Sequence, residues 1–267
     1  MRLTGIDPAF RRPPDGDNPV ERVADLSKYP GLSIDGATLT ANAGEHIYLA
    51  ANTLELIDST ITTNGASLTI EVLHLSTSNS RIRAFDPSST RRDAEAADAG
   101  TVTIIVHDQN TGSILAVDLS GEAGASGAIG AIGSVGATGA AGANGADHIF
   151  DCARGPGDGS PGGKGGSGGV GLPGVSGASG GILVLAGAIR RSSIEFKSAG
   201  GAGGQGGKGG QGGPGGAGGQ GGGTTTYCHG GGHTGPQGPG GDSGQDGANG
   251  KDGHPGDILI KQIGEVI

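Results

Sequence analysis

The chain has 267 residues, of which 62 are Gly; aromatic residues make up 3%, Trp is absent, Met occurs once and the net charge is −9. So few large apolar side chains cannot fill one conventional core of this length, which excludes an ordinary enzyme fold. With Gly short of one third and only 13 Pro, collagen along the whole chain is excluded too, and the acidic balance argues against a nucleic-acid or anionic-membrane surface.

Residues 1–14 are charged and contain Pro. They lack the apolar centre of a signal peptide, and no later stretch has the 18 or more apolar residues of a membrane span. The reading is therefore a cytoplasmic protein, a protein exported without a Sec signal, or a component of a virion or other particle. Asn18-Pro19 reads as an N-cap followed by Pro in the first helical position. Val20, Val23 and Leu26 then share one face before Pro30-Gly31 stops the segment. Segment 1–31 thus ends in a short amphipathic helix, expected to cap the open end of the domain after it.

Residues 45–86 contain a tandem repeat of 21 residues. Stacked, Ile47 meets Leu68, Leu49 meets Ile70, Leu54 meets Leu75 and Ile61 meets Ile82. Apolar residues alternate within each short run, as in strands with one buried face. A period near 21 with three short strands predicts one rung of a parallel β-solenoid, whose inner face is buried only when rungs stack. The rungs continue at Val102 and Ile104 with Ile114, at Ile182 and Val184 with Ile194, and at Ile258 and Ile260. From Ile47 the rungs therefore start 21, 34, 80 and 76 residues apart. Each excess follows the third strand, so one corner of the solenoid emits the insertions. The domain reading is 32–120 for the rungs, completed by 181–199 and 257–267, with excursions at 121–180 and 200–256. The loop at 87–100 reads as a mobile polar surface loop.

Both excursions keep Gly at every third position. In the first, this frame runs from Gly121 to Gly145 and again from Gly162 to Gly180; in the second, from Gly200 to Gly221 and from Gly235 to Gly256. Three is the polyproline-II period, with a rise of about 3.1 Å, so a run of 24 residues would span about 75 Å. Gly at every turn bares one face for a neighbouring chain, allowing N–H···O and Cα–H···O contacts. Each excursion is expected to be an antiparallel hairpin, and two hairpins to make a four-helix polyglycine-II bundle. Gly-Gly-X repeats in 200–222 and 162–169 bare two faces and suit interior positions. The Ala, Ile, Val and Thr of 121–145 suit an outer one. Ile129, Ile132 and Val135 fall at heights matching Val170 and Leu172, which would let them pack together. The competing readings are a homotrimeric collagen-like helix, since G-X-Y is its signature as well, and a disordered Gly linker.

The segments joining the runs hold most of the chemistry. The first contains His148, Ile149, Phe150, Asp151, Cys152 and Arg154; the second contains Thr224, Thr225, Thr226, Tyr227, Cys228, His229 and His233. A hairpin bundle brings both to its distal tip. The plain reading there is a plug of Phe150 and Tyr227 with Cys152 and Cys228 as disulfide partners. A Cys2His2 metal site from Cys152, Cys228, His229 and His233 is the alternative, since H-x3-H matches zinc spacing, although the intervening Gly residues offer no helix to hold it. A thiol nucleophile would lack an assigned base. Asp58, Glu71, Asp86 and Asp118 read as solvated or turn residues; a polysaccharide-active β-helix enzyme would need two carboxylates paired on one face.

In-frame runs such as GGAGGQGGKGGQGGPGGAGGQGG resemble those of polyglycine-II proteins. Two groups are similar: the glycine-rich adhesins at the tail-fibre tips of T-even-like phages, and the snow flea antifreeze proteins. The resemblance covers about 100 residues and is one of period. It implies recognition by variable segments at the bundle tip, as in the phage adhesins. Mixed Gln, Lys, Asp and Ile at the outer positions fit an ice-binding face less well. The expected function is non-enzymatic: a structural recognition protein, a fibre-tip or surface adhesin. Its binding residues are expected to be His148, Phe150, Asp151, Tyr227, His229 and His233, with no cofactor and no catalytic residue. The expected partner is a cell-surface receptor or glycan, or another structural protein of a fibre or particle, and a homo-oligomer is compatible. The alternatives are the β-helix enzyme and a collagen-like spacer.

Overall fold

The computed structural model describes residues 19–42, 44–86 and 96–261, without the side chains of 19–22. The residues read as a leaderless N-terminus, the N-cap Asn18 and the loop positions 87–95 lie outside that description. The described chain is nearly all β, with parallel sheets. It divides into two compact units. One consists of the described residues of Met1–Ala125, Val175–Gly204 and Lys251–Ile267, the other of Ser126–Gly174 and Gln205–Gly250.

In the first unit, helix α1 (Pro19–Leu26) precedes strands β1 (Leu32–Asp35), β2 (Thr38–Thr40), β3 (His46–Ile57), β4 (Thr60–Thr62), β5 (Ser67–Ser78), β6 (Arg81–Arg83), β7 (Thr101–Gly112) and β8 (Leu115–Asp118). Strands β9 (Ala146–His148) and β10 (Asp151–Arg154) belong to the second unit, and the first resumes with β11 (Ile182–Gly187), β12 (Ile194–Lys197) and β13 (Ile258–Lys261). One parallel sheet runs β1-β3-β5-β7-β11-β13 and another runs β12-β8-β6-β4-β2. The four pairings read from the 21-residue repeat, from Ile47 with Leu68 to Ile61 with Ile82, are Cα partners. Their side chains belong to one core, with Leu39, Val102, Ile104, Leu115, Val117, Leu183 and Leu185. Burying each such side chain contributes about 1.5–3 kcal/mol.

Four details differ from the sequence reading. The two leading strands of each repeat are fused into one 12-residue strand, His46–Ile57 and then Ser67–Ser78. Ile114 is exposed, and Val117 instead pairs with Ile82. A bulge where Val72 and His74 face Val106 and Gln109 adds a residue to the third turn of the repeat, so the spacing of its neighbours no longer holds. In GILVLA, Leu183 and Leu185 pair with Val102 and Ile104, leaving Ile182 partly exposed. The run Ile-Leu-Val-Leu has no polar residue to mark its outer face, and a slip of one residue exchanges the faces. Helix α1 does not cap an end: its Leu26 packs with Ala50, Leu73, Tyr29 and Tyr48, on the face of β3 and β5 opposite the core.

The corner after β1, β3 and β5 is built by residues that tolerate left-handed backbone. Gly36, Asp58 and Asn79 have φ of 56°, 45° and 45°, and Asn and Asp are the L-residues that reach that region most readily. They stack: the Asn79 amide donates to Asp58 Oδ1 at 2.7 Å, and the Ser59 N–H donates to Ser80 Oγ at 3.0 Å.

In the second unit the four Gly runs are joined through the backbone. Gly130 N–H donates to the Lys208 carbonyl at 2.8 Å, Gly169 to Ala131 at 2.7 Å, Gly210 to Gly169 at 2.8 Å, Gly168 to Asp242 at 2.9 Å and Gly241 to Gly213 at 2.8 Å. These bonds recur every three residues. The first run is parallel to the third and the second to the fourth; the other bonded pairs are antiparallel. The second and third runs each bond three others, while the first and fourth each bond two. The Gly-Gly-X repeats therefore occupy the positions with most neighbours. The same bonding joins the bases of the runs within the first unit, as from Gly124 to Ala202 and from Gly201 to Ala178. The packing expected between Ile129, Ile132 and Val135 and the pair Val170 and Leu172 does not bury them: all five are 58–74% exposed. Leu172 N–H bonds the Ala128 carbonyl, so the backbones meet while the side chains face water.

Candidate functional site

The two joining segments meet at one end of the second unit. Strands β9 and β10 pair antiparallel, with His148 opposite Asp151 and Asp147 opposite Cys152. Ile149 and Phe150 form the two-residue turn between them and are 73% and 82% exposed. Turns of this length ordinarily carry Gly, Asn or Asp. Two bulky apolar residues there serve no turn geometry and cost hydration, so their use must lie in contact with something else.

The second segment is fastened to this hairpin covalently and by hydrogen bonds. Cys152 and Cys228 are joined by a disulfide that closes a separation of 76 residues, a constraint contributing about 4 kcal/mol in the chain-entropy account. Cys228 is buried and Cys152 half-buried. Asp147 gathers the segment around itself: its Oδ1 accepts from the Thr225 hydroxyl and from Tyr227 N–H at 3.2 Å. Thr225 N–H donates to the Cys228 carbonyl at 3.0 Å, and Cys228 N–H donates to Thr225 Oγ1 at 3.2 Å. Gly223 N–H donates to Asn144 Oδ1, and His233 N–H to Asp158 Oδ1. Gly230, at φ 79°, supplies the left-handed turn after His229.

His148, Phe150, Asp151, Tyr227, His229 and His233 are all exposed. The structure brings the two segments carrying them together on one clamped platform. Asp151 accepts from its neighbour Cys152 N–H and so shapes the turn as well. The metal reading does not fit this arrangement. Sulfurs joined to each other are not thiolates, and no cluster of three His, Cys, Asp or Glu side chains is placed to hold a metal among the described residues. The same bond removes both candidate thiol nucleophiles. Sequence reasoning misses Asp147, Asn144 and Asp158. Their roles depend on which backbone amide each one faces, and short acidic or amide residues beside Gly give no other sign.

A second cluster lies in the first unit, and it corrects the reading of Glu71 as a solvated residue. Glu71 is fully buried: it accepts a hydrogen bond from the Tyr48 hydroxyl and lies 3.0 Å from Nε2 of His107, itself buried. Glu71 points away from the apolar core, beside the patch covered by Leu26. Asp58, Asp86 and Asp118 do serve corners and ends. Asp118 is pushed up by partial burial, but the Ser120 hydroxyl and N–H and the Lys197 ammonium outweigh this and hold it below the ordinary range. A groove of about 740 Å³ beside β7 has one carboxylate in its lining, Asp108, together with Arg190 and Ser193.

No protein-family model, curated protein or solved structure matches the chain. Among the described residues no helix is long and apolar enough to cross a membrane.

Proposed function

We propose that the chain is a non-enzymatic recognition protein, an adhesin of a fibre tip or surface, and that it binds a cell-surface receptor through the clamped platform of residues 146–154 and 224–234. Its finer architecture, on this reading, is a parallel β-solenoid together with a polyglycine-II bundle, the bundle serving as a thin scaffold for the platform. The observation that carries the proposal is the exposure of Ile149 and Phe150 in a two-residue turn held by the Cys152–Cys228 disulfide. The Gly runs offer few side chains to a partner, and the strand faces are occupied by core. The platform combines apolar contact area with imidazole, phenol and carboxylate groups for directional bonding. Its disulfide and its Asp147 bonds limit the ordering cost of binding. Aromatic anchors in such sites carry most of the affinity.

Binding to receptor-bearing cells and to arrays of acidic and neutral glycans tests the proposal. The double variant Phe150→Ala, Tyr227→Ala is expected to lose binding by 100-fold or more, about 3 kcal/mol, while Tm stays within about 3 °C. Intact binding with a collapsed Tm would make the platform a plug and overturn the proposal. Turnover of a glycan abolished by a single carboxylate substitution would replace it with the β-helix enzyme.

A further inference from the structure

The outer edge of the first Gly run is unlike every other surface of the second unit. Between Glu122 and Asp147 no residue is charged, although the chain carries −9 overall. The fourth run, also on the outside, carries Asp242, Asp246 and Lys251. On the first run Ile129, Ile132 and Val135 recur every three residues and are 74%, 74% and 67% exposed. At three residues per turn they fall on one edge, about 9 Å apart. Leu172, level with Ala128 by its backbone bond, and Val170 add two more exposed apolar side chains on the adjoining run. Nothing in the fold of this unit requires them. Thr, Ala and Asn fill the equivalent positions farther along the same run, at Thr138, Ala141 and Asn144.

We infer that this edge is a self-association surface, and that its occupant is the same edge of a second copy of the chain, related by a twofold axis. The charge pattern selects that partner. Two copies with net charge −9 repel through acidic faces, and the uncharged edge is where they can approach without like charges meeting. The ridge is also self-complementary: in an antiparallel copy, side chains spaced about 9 Å apart enter each other's gaps, as an isologous contact requires. A strip over 126–144 about 60 Å long and about 10 Å wide offers about 600 Å² per copy, toward the roughly 800 Å² per partner of a standard interface. That area corresponds to a weak dimer. A lipid surface is disfavoured because interfacial binding segments flank their apolar residues with Lys and Arg, and 123–146 has neither.

Analytical ultracentrifugation of the full chain across a concentration series tests this. The expected result is a monomer–dimer equilibrium with Kd on the order of 10 μM, little weakened by salt because the contact is uncharged. Ile129→Asp with Ile132→Asp should give a monomer throughout, with the wild-type circular dichroism spectrum. Val135→Asp, farther along the ridge, is the second variant should the first fail to fold, and should also weaken the dimer at least tenfold. A wild-type monomer up to roughly 0.5 mM, a far weaker affinity than specific dimers show, would overturn the inference. So would a dimer unaffected by these variants, or co-sedimentation with phosphatidylcholine vesicles that the same variants abolish.

Discussion

A β-carbon at Gly210 would lie 1.9 Å from the carbonyl oxygen of Ala131, whereas Gly155 has no heavy atom within 4 Å of the same position. Neither has a positive φ, so the two sites differ in space and not in backbone strain. Gly210→Ala is therefore expected to force the first and third runs apart, at a cost of about 3 kcal/mol or more. Gly155→Ala should leave stability unchanged or raise it by up to about 1 kcal/mol through the unfolded chain. Urea denaturation of the two variants measures the difference; equal effects would mean that the Gly frame is not there for close approach. The frame itself was legible, because a strict period of three needs no tertiary context. Glu71 was not. Its strand neighbours alternate like those of any half-buried strand, and only folding shows that Tyr48 and His107 surround it. Removing its carboxylate would leave buried polar groups short of a partner, the costly side of hydrogen bonding.

At the scale of elements, the Gly runs are tied by side chains as well as by backbone. Lys164 of the second run pairs with Asp242 of the fourth at 2.6 Å, and Lys208 of the third pairs with Asp246 of the fourth at 2.6 Å. Hydrogen bonds from these lysines hold both carboxyls below the ordinary 3.8, and the Asp246 bond raises Lys208 above its ordinary 10.5. A folded-state value below the unfolded one stabilises at pH above the unfolded value. That contribution disappears as pH falls below about 4 and through the folded value. For Lys208 the sign is reversed: its contribution is present below 10.5 and is lost as pH rises through the raised value. Carboxyl NMR titration should find both Asp residues depressed. Lys164→Met and Lys208→Met should each return their own partner to the ordinary range, and added salt should do so partly, since all four groups are exposed. A depressed Asp246 in Lys208→Met would show that Lys208 is not the cause. The 21-residue repeat yielded its register from sequence because Ile47, Leu49, Leu54 and Ile61 alternate with polar residues. The later strands lost it where alternation failed, at Ile182 to Leu185, and where the bulge before Gln109 displaced Ile114.

At the scale of the whole molecule, sequence periodicity separated two kinds of packing. Strands with period two bury aliphatic side chains, and runs with period three bring bare backbone to bare backbone. What periodicity could not give was the role of the non-repeating segments. The platform of Ile149, Phe150 and Tyr227 is placed by Asp147, Asn144 and a disulfide between residues 76 apart, and no local pattern encodes those partners. Native-state hydrogen exchange, read residue by residue by NMR, tests the central claim that the Gly runs form a hydrogen-bonded scaffold within one chain. In the first run the amides of Gly127, Gly130, Gly133 and Gly136 donate to backbone carbonyls, while those of Ala128, Ile129, Ala131 and Ile132 donate to no backbone carbonyl among the described residues. Protection should therefore rise at every third residue by about 100-fold or more and be independent of protein concentration. Uniformly fast exchange along 121–145 and 200–222, or protection that appears only as concentration rises toward a trimer, would contradict the account.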